Sequence, residues 1–365
     1  MAQLSDDCFA FSGPLLPLAD MQRLIGERIA PVAGTERVPL AEARLRVVAN
    51  DVRAPVDLPP FDNSAVDGYA VRHADLDKDG DTRLKLSGRL TAGAPAHMSV
   101  APGAAIRIFT GAAMPEGADT VFMQEDVTVD GNAVVVPKGL KLGANRRLAG
   151  EDVPKGQVIL PAGTLLDAQH IALAAAVGVT GFEVRRRLKV AIFSTGDEVV
   201  EPGTARPETA IFDANRYLLA GLLGRLGMAV TDLGILRDQP SELMRALQAA
   251  AADHDLVITS GGVSTGEADH VRTAVERIGS LVFWRIAIKP GRPVAMGVIK
   301  SGGGDGNNNN TAFVGLPGNP VAVFVTFVKV VKPLLRQLSG ARAQEPLALP
   351  VRAAFAYRKQ KDRRE

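Results

Sequence analysis

The sequence predicts a multi-domain protein of mixed α/β plus β class, with a three-layer α/β domain of mainly parallel sheet in the second half of the chain. From residue 188 onward, apolar runs of strand length alternate with runs of helical length, as they do in βαβ units. Between residues 51 and 149, glycine and proline separate short alternating runs, a pattern typical of a compact β domain. Helical spacing on both sides of that region indicates that the β domain is inserted into a helical one.

Four domains follow from these changes of pattern. Residues 1–50 and 150–180 are predicted to form a helical linker domain, in which residues 18–29, 39–48 and 167–177 supply the helical segments. Residues 51–149 form the inserted β domain, and residues 181–338 form the α/β domain. Residues 339–365 are expected to begin an incomplete C-terminal β domain, because their apolar alternation runs into Lys-Asp-Arg-Arg-Glu before a hairpin is complete.

The elements of the α/β domain are predicted in strict alternation until the last strands. Strands are expected at residues 189–193, 229–233, 255–259, 281–288, 294–299 and 312–315. Helices are expected at residues 215–226, 240–252, 268–278 and 320–338. Gly227 and Gly279 follow two of these helices directly, as C-terminal glycines do.

Composition excludes several classes of protein. The 365 residues carry a formal net charge of +2, so there is no overall attraction to nucleic acid or to a membrane surface. The single cysteine, Cys8, excludes an internal disulfide framework and a cysteine-paired zinc site. Neither a secretory signal nor an apolar run of membrane-spanning length is present in the sequence. We therefore expect a soluble, cytoplasmic protein.

The most informative segment is residues 255–270, where a buried strand leads into a loop rich in glycine and hydroxyl groups. Gly261 and Gly262 allow backbone N–H groups to approach a phosphate, and Ser264 adds a hydroxyl donor. The carboxylates of Glu267 and Asp269 follow, and they suit a hard cation such as Mg²⁺. Because open α/β sheets bind ligands at the carboxyl ends of their strands, the segment predicts a metal-assisted reaction on a phosphorylated substrate.

Three further segments are predicted to lie at the same edge of the sheet. Residues 194–198 follow the first strand of the domain and contribute Glu198. The turn at residues 289–293 carries two cations, Lys289 and Arg292, which could hold an oxyanion or simply form a tight surface turn. At the last strand-to-helix junction, Asn319 suits an N-cap and Pro320 the first helical position, although such an N-terminus also attracts anions.

An alternative interpretation of this loop is a catalytic serine. Residues 262–266, Gly-Val-Ser-Thr-Gly, match the nucleophile elbow of α/β hydrolases, which requires a histidine downstream of the serine. His270 is the last histidine in the chain and lies only six positions after Ser264. A strand-to-helix turn is therefore the better interpretation.

The β domain contains three dense polar segments, at residues 61–70, 109–115 and 145–152. Each taken alone resembles an ordinary turn. Together with the α/β segments, in this order and spacing, they closely resemble the molybdopterin molybdotransferase family. The resemblance covers nearly the whole chain to about residue 340. This family also includes the E domain of gephyrin-like scaffold proteins.

The resemblance implies a homodimer of elongated four-domain subunits, linked through the helical domain, with a cleft between the molybdopterin-binding α/β domain of one subunit and the β domain of the other. The implied reaction inserts molybdenum from molybdate into adenylylated molybdopterin and releases AMP, with Mg²⁺ as cofactor. The molybdopterin adenylyltransferase is the implied partner enzyme, and nucleic acid and membranes are not expected partners.

The resemblance also assigns residues. The acids that fall on functional positions are Asp67, Asp152, Glu198, Asp238 and Asp269. The substrate-binding positions that it implies are Thr110, Lys289, Pro317 and Pro320. The residues themselves add Gly261, Gly262, Ser264, Arg292 and Asn319 as further substrate-binding candidates. Asp269 with Asp238 or Glu198 is expected to hold the metal, and Lys289 with Arg292 to hold molybdate. Asp67 and Thr110 are expected to reach the pterin from the partner subunit.

Two other functions are compatible with the sequence. One is a binding role like that of the gephyrin scaffold, which would need the C-terminal region. The other is a nucleotide pyrophosphatase that shares the α/β domain, but such an enzyme has no need of the polar segments at residues 62–70 and 146–152.

Overall fold

The computed structural model describes most of the chain. The described residues are 4, 15–95, 97–237, 239–262, 270–291, 293–300, 310–342 and 349–356. They group into two compact units. The first, called the α/β unit here, comprises Met1–Asn50, Pro161–Ala168 and Gly181–Glu365, and the second, the β unit, comprises Asp51–Leu160 and Gln169–Thr180.

The N-terminal region holds one helix and two strands. Helix α1 (Leu18–Arg28) buries Leu18, Met21 and Leu24, as its spacing predicts. It is followed by strands β1 (Thr35–Pro39) and β2 (Val47–Val48). The prediction of a helix over residues 39–48 is wrong, because only a single 3₁₀ turn, Leu40–Glu42, lies there. The β-branched side chains of Val47 and Val48 favour the extended backbone, and both are buried.

The β unit is built of short strands with one helix. Its strands are β3 (Val52–Arg53), β4 (Asn63–Ser64), β5 (Gly68–Val71), β6 (Thr82–Leu90), β7 (Ala104–Ile108), β8 (Thr120–Met123), β9 (Thr128–Asp130), β10 (Ala133–Val136), β11 (Arg146–Arg147) and β12 (Val158–Leu160). Helix α2 (Ala168–Ala176) confirms the helix predicted at residues 167–177.

A six-stranded sheet of order β8-β5-β7-β6-β10-β9 forms the centre of the β unit. An apolar cluster packs on each of its faces, since successive side chains of a strand point to opposite faces. Along β5, Tyr69 and Val71 pack into one apolar cluster, whereas Ala70 packs into the other. Two-stranded ladders, β4 with β11 and β3 with β12, join loops to this sheet region.

The remaining elements belong to the α/β unit. Its strands are β13 (Gly181–Arg185), β14 (Lys189–Thr195), β15 (Val199–Val200), β16 (Ile211–Phe212), β17 (Ala229–Leu236), β18 (Leu256–Ser260), β19 (Gly279–Arg285), β20 (Pro293–Lys300) and β21 (Asn310–Leu316). Its helices are α3 (Asn215–Arg225), α4 (Pro240–Asp253), α5 (His270–Ile278), α6 (Pro320–Thr326) and α7 (Lys332–Leu338). The alternation predicted from residue 188 onward is confirmed. Strand β13 pairs with β1 and β2 in a separate three-stranded sheet.

The main sheet of the α/β unit has the order β17-β14-β18-β21-β20-β19. The first four strands run parallel, and the last two form an antiparallel hairpin against β21. The carboxyl ends of β14, β18 and β21 therefore meet at one edge. Since β20 runs antiparallel to β21, the turn between β19 and β20 lies at that same edge.

Helices cover both faces of this sheet, so the unit has three layers. Helices α1, α3, α6 and α7 pack with Val190 and Ile258 on one face, and α4 and α5 pack with Phe193 and Phe313 on the other. The helix predicted at residues 320–338 contains a π-helical stretch, Phe327–Val331, between α6 and α7. Pro333 has no N–H to donate to the preceding turn, which favours such a local change of winding. No helix in the described part of the chain is long and apolar enough to cross a membrane.

Candidate functional site

Three loops at the carboxyl edge of the α/β sheet are joined by hydrogen bonds. The backbone N–H of Gly261 donates to the carbonyl oxygen of Leu316 at 3.1 Å. The side-chain amide of Asn215, at the start of α3, donates to Ser260 Oγ and to the carbonyl oxygen of Gly318, each at 2.7 Å. These bonds hold the ends of β18 and β21 and the start of α3 in one arrangement.

The two glycines after β18 are required by a close approach of the chain to β14. Gly261 and Gly262 have φ values of +89° and +63°, which favour glycine. A Cβ atom on Gly261 would lie 2.9 Å from the carbonyl oxygen of Thr195, and one on Gly262 would lie 2.6 Å from Thr195 Cγ2. The backbone can therefore follow this path only without side chains at both positions.

Buried polar atoms without partners lie at this same edge. Within the described part of the chain, the side-chain oxygens of Ser194, Thr195 and Asn215 are buried and have no hydrogen-bond partner. An unsatisfied buried polar group costs about 1–3 kcal/mol. Ser194 and Thr195 are the last two residues of β14, so these oxygens are set where a ligand can bind.

Glu198 follows on the loop after β14. A Cβ on Gly196 would lie 2.6 Å from Glu198 Oε2, so the carboxylate is folded back over that glycine. The loop continues through β15 and β16, which pair in parallel. Glu198 therefore lies on a loop that begins at the end of β14 and is held by the β15–β16 pairing.

Arg216 of α3 anchors this loop from the protein interior. The guanidinium of Arg216 is 4% exposed and donates to Asp213 at 3.0 Å, and it also pairs with Glu201 and Asp232. Burial lowers the pKa of Arg216, but the hydrogen bonds to these three carboxylates outweigh burial and raise it overall. The arginine thus stays charged and holds the loop.

The cationic turn between β19 and β20 lies against helix α6. Gly291 has a φ of +103°, and a Cβ there would lie 2.6 Å from Thr326 Cγ2. The turn that carries Lys289 is therefore held close to the helix that starts at Pro320.

Asn319 forms the N-cap of α6. Its Oδ1 accepts from the backbone N–H of Val321 at 2.9 Å and of Ala322 at 3.2 Å. The capping interpretation of this junction is confirmed, and two of the N–H groups that an anion could use are already occupied.

In the β unit, the three polar segments singled out in the sequence meet. Asp62 accepts from the backbone N–H of Ala149 at 2.8 Å and from Arg146 Nε at 3.0 Å. These two contacts, the backbone bond first, lower the pKa of Asp62. Ser64 joins the third segment, because its N–H donates to the carbonyl oxygen of Ala112 at 3.0 Å.

The predicted site residues of the β unit are also paired. Asp67 Oδ1 accepts from the backbone N–H of Thr110 at 2.8 Å and from its hydroxyl at 2.7 Å, and these bonds lower the pKa of Asp67. Asp152 accepts from Arg147 at 2.6 Å, and the same arginine pairs with Glu151. The carboxylates of this cluster are therefore held by contacts within the β unit.

The structure places the predicted residues in three groups. Those at the edge of the α/β sheet are Glu198, Gly261, Gly262, Lys289, Pro317, Asn319 and Pro320. Those in the β unit are Asp67, Thr110 and Asp152. Those that lie outside the described residues are Asp238, Ser264, Asp269 and Arg292.

Ser194, Thr195 and Asn215 were not predicted individually, although residues 194–198 were placed at this edge. Arg216 was not predicted either, because its three carboxylate partners are spread over residues 201–232. A cationic side chain in the first turn of a mainly apolar helix was the signal for it.

For the metal, the described residues contain no group of three or more histidine, cysteine, aspartate or glutamate side chains that could hold an ion. Of the predicted metal ligands, Glu198 alone is among the described residues. The sequence positions of the other two fit its place, because Asp238 comes two residues after β17 and Asp269 follows β18. Those two strands are the neighbours of β14, which precedes Glu198.

Fold and site together define a class: a multi-domain α/β protein with a ligand site at the carboxyl edge of a mainly parallel sheet. Two family models match the chain. Residues 16–178 match the MoeA N-terminal region (domain I and II), and residues 191–337 match a probable molybdopterin binding domain.

Similar proteins agree with these matches. The chain is 43% identical to a molybdopterin molybdenumtransferase of Haemophilus influenzae over 84% of this chain and 74% of that protein. It is 38% identical to one of Nostoc sp. over 87% of this chain and 73% of that protein. Among solved structures, a molybdopterin biosynthesis moeA protein from Pyrococcus horikoshii OT3 has a TM-score of 0.74 at 33% identity, over 90% of this chain and 80% of that one. The chain belongs to the molybdopterin molybdenumtransferase family.

Proposed function

We propose that this protein inserts molybdenum from molybdate into adenylylated molybdopterin and releases AMP, as a step of molybdenum cofactor biosynthesis. The observation that carries the proposal is the pair of buried hydroxyls on Ser194 and Thr195 at the carboxyl edge of the α/β sheet, which have no hydrogen-bond partner among the described residues. The names of the relatives and the two family models support the same reaction.

The geometry of this edge suits a phosphoanhydride. Gly261 and Gly262 bring the backbone close to Thr195, so a phosphate at this edge can approach the main chain as well as the hydroxyls, although the N–H of Gly261 is already bound to Leu316. Donors fixed before the substrate arrives stabilise the charge that develops on the departing phosphate. In this proposal Ser194 and Thr195 donate to phosphate oxygens, and Ser264 adds a third hydroxyl.

Lys289 is the cation proposed for molybdate, together with Arg292. The turn that carries Lys289 is held against α6 by Gly291. A doubly charged oxyanion requires positive charge close by. A lysine that is already held in place loses less side-chain entropy on binding than a flexible lysine does. Pro317 and Asn319 shape the neighbouring junction, where Asn319 caps α6.

Mg²⁺ is the proposed cofactor, held by Glu198 with Asp238 and Asp269. When bound, the ion would neutralise charge on the phosphoanhydride. The residues themselves would position the phosphates. The strand order β17-β14-β18 supports this set, because each of the three acids follows one of these adjacent strands.

The proposed active form is a homodimer of four-domain subunits, in which the β unit of one subunit completes the site of the other with Asp67, Thr110 and Asp152. The exposed Thr110, already bound to Asp67, supports this role. The molybdopterin adenylyltransferase is the proposed supplier of substrate. The cytoplasm is the proposed compartment, since a chain with one cysteine has no internal disulfide to lose there.

The first experiment supplies purified protein with adenylylated molybdopterin, molybdate and Mg²⁺ and follows AMP. The proposal predicts AMP release that depends on molybdate, and loss of that release in Asp269→Asn with the oligomeric state unchanged. AMP release that does not depend on molybdate would instead identify a nucleotide pyrophosphatase. Full activity of Asp269→Asn would contradict the metal assignment.

A second experiment tests whether the site is shared between subunits. Asp67→Asn and Asp269→Asn are each expected to be inactive, and their coexpression is expected to restore about a quarter of wild-type turnover, because mixed dimers contain one intact site. No recovery in verified mixed dimers would show that each site is built within one subunit.

A further inference from the structure

A second pocket lies in the α/β unit, at the opposite end of the strands from the candidate site. It is lined by Leu188 and Met228, the residues immediately before β14 and β17. The candidate site begins at the other end of β14, with Ser194 and Thr195. At about 3.3 Å per residue the two ends of this strand are about 20 Å apart, so the pocket is a separate place on the molecule.

The lining of this pocket is cationic and apolar. The positively charged lining residues are Arg46, Arg185, Arg186, Arg187, Lys332 and Arg336. Between them lie leucines such as Leu45, Leu226 and Leu335. Among the described residues that line it, none is an aspartate or a glutamate.

The four arginines at residues 46 and 185–187 differ in their described partners. Arg186 forms two 2.7 Å hydrogen bonds with Asp255, and Arg46 pairs with Glu36. Arg187 instead donates to the carbonyl oxygen of Gly227 at 2.6 Å. Arg185 likewise donates to a carbonyl oxygen, at 3.1 Å. A carbonyl oxygen satisfies a hydrogen bond but carries no net charge, so positive charge remains in the pocket.

The pKa of Lys332 reflects both its burial and the positive charges around it. Burial and then the neighbouring charges of Arg336 and Arg225 lower the pKa of Lys332. Like charges gathered at a partly buried place destabilise one another unless an anion joins them.

Arg46 provides an independent sign of a ligand. It is 6% exposed, and its Nε is buried with no hydrogen-bond partner in the described part of the chain, while the terminal nitrogen is bound to Glu36 and to the carbonyl oxygen of Arg185. A charged donor left without an acceptor is costly, and an anion oxygen in the pocket would satisfy it.

We propose that this pocket binds a small organic anion whose phosphate or carboxylate head contacts the arginines and Lys332 and whose apolar body lies against the leucines. Guanidinium groups match both kinds of head in geometry. The site is additional to the proposed transfer reaction and requires none of its residues.

Isothermal titration of the full chain tests the proposal with defined probes. Phenyl phosphate and benzoate carry the two heads on the same apolar body, and benzyl alcohol is their neutral counterpart. We expect one equivalent of phenyl phosphate or benzoate to bind, and benzyl alcohol not to bind. The tighter of the two anions identifies the preferred head. Failure of both anions to bind at millimolar concentration would overturn the proposal.

Substitutions locate the binding. Lys332→Gln and Arg336→Gln each remove one lining charge and should weaken binding at least about tenfold, which is about 1.4 kcal/mol. Arg83→Gln, an exposed arginine of the β unit paired with Asp130, is the matched control and should leave binding unchanged. Thr195→Val at the candidate site should also leave it unchanged. Unaltered binding in both lining variants, or loss of binding in Thr195→Val, would contradict the proposal.

Discussion

The edge of the α/β sheet and the polar cluster of the β unit both contain polar side chains at loops, but these side chains differ in whether they have hydrogen-bond partners. In the β unit, Asp62 and Asp67 are each bound by backbone and side-chain donors of a neighbouring segment. At the sheet edge, Ser194 Oγ and Thr195 Oγ1 are buried and have no partner among the described residues. The first arrangement uses its polar groups to hold loops together, and the second keeps them for a ligand.

The difference between the two regions predicts which substitutions change the stability of the fold and which change ligand binding. Loss of a paired group leaves its partner unsatisfied, so a substitution in the β-unit cluster should first destabilise the fold. Loss of an unpartnered group removes a cost, so a substitution at the sheet edge should impair function without destabilising the protein. The single tryptophan, Trp284, lies on β19 and is 1% exposed, so its fluorescence reports the unfolding of the α/β unit.

The largest expected effect concerns the support behind the sheet edge. Arg216→Met leaves Asp213, which is 4% exposed, as a buried carboxylate without its cation. Breaking a buried pair in this way typically costs about 3–5 kcal/mol. Urea unfolding followed by Trp284 fluorescence should show this loss.

Arg225→Met is the matched control on the same helix, because Arg225 is exposed. It should change the free energy of unfolding by about 0.5 kcal/mol or less. Equal effects of the two variants would mean that Arg216 does not anchor the loop.

The next effect concerns the close approach at the sheet edge. Gly262→Ala places a methyl group 2.6 Å from Thr195 Cγ2 at a φ of +63°. Gly234→Ala has a similar φ of +75° but meets nothing within 4 Å. The control should cost about 1 kcal/mol from backbone conformation alone, and Gly262→Ala should cost about 1–3 kcal/mol more from crowding. Equal unfolding free energies of the two variants would contradict the close approach.

The smallest expected effect is a pH dependence of the β unit. Because the folded-state pKa of Asp62 is lowered, the stability it contributes is present above its ordinary pKa and is lost as the pH falls through the lowered value. Asp62→Asn should remove this part of the acid sensitivity and reduce stability at neutral pH.

Hydrogen exchange of peptides covering residues 61–70 and 145–152 measures this effect, with a peptide from α4 as the control. The difference between wild type and Asp62→Asn should be large at neutral pH and should shrink in acid. A difference that does not depend on pH would show that the carboxylate charge of Asp62 does not hold these segments.

Local patterns predicted much of the fold. The strands and helices from residue 188 onward were found because each carries its own periodicity and its own end signals. The helix predicted over residues 39–48 was wrong because β1 and β2 pair with β13, about 140 residues later in the chain, and nothing in the local pattern reports that partner.

The location of the candidate site was predictable from the sequence, but its detailed hydrogen bonding was not. Glycines and acids at strand ends indicated which edge binds a ligand, and the structure places Gly261, Gly262 and Glu198 there. Which hydroxyls remain unpaired could not be predicted, because the lack of partners of Ser194 and Thr195 among the described residues results from how three loops pack. The roles assigned to Asp67, Asp152 and Asp269 stay predictions.

The most direct test of the comparison is molybdate-dependent AMP release by Thr195→Val, measured on a sample whose unfolding free energy is also known. The substitution keeps the shape of the side chain and removes only the unpartnered hydroxyl. We predict a loss of AMP release of about tenfold or more, equivalent to about 1.4 kcal/mol, with an unfolding free energy at or above that of wild type. Full AMP release, or a loss that is matched by a lower unfolding free energy, would contradict the account.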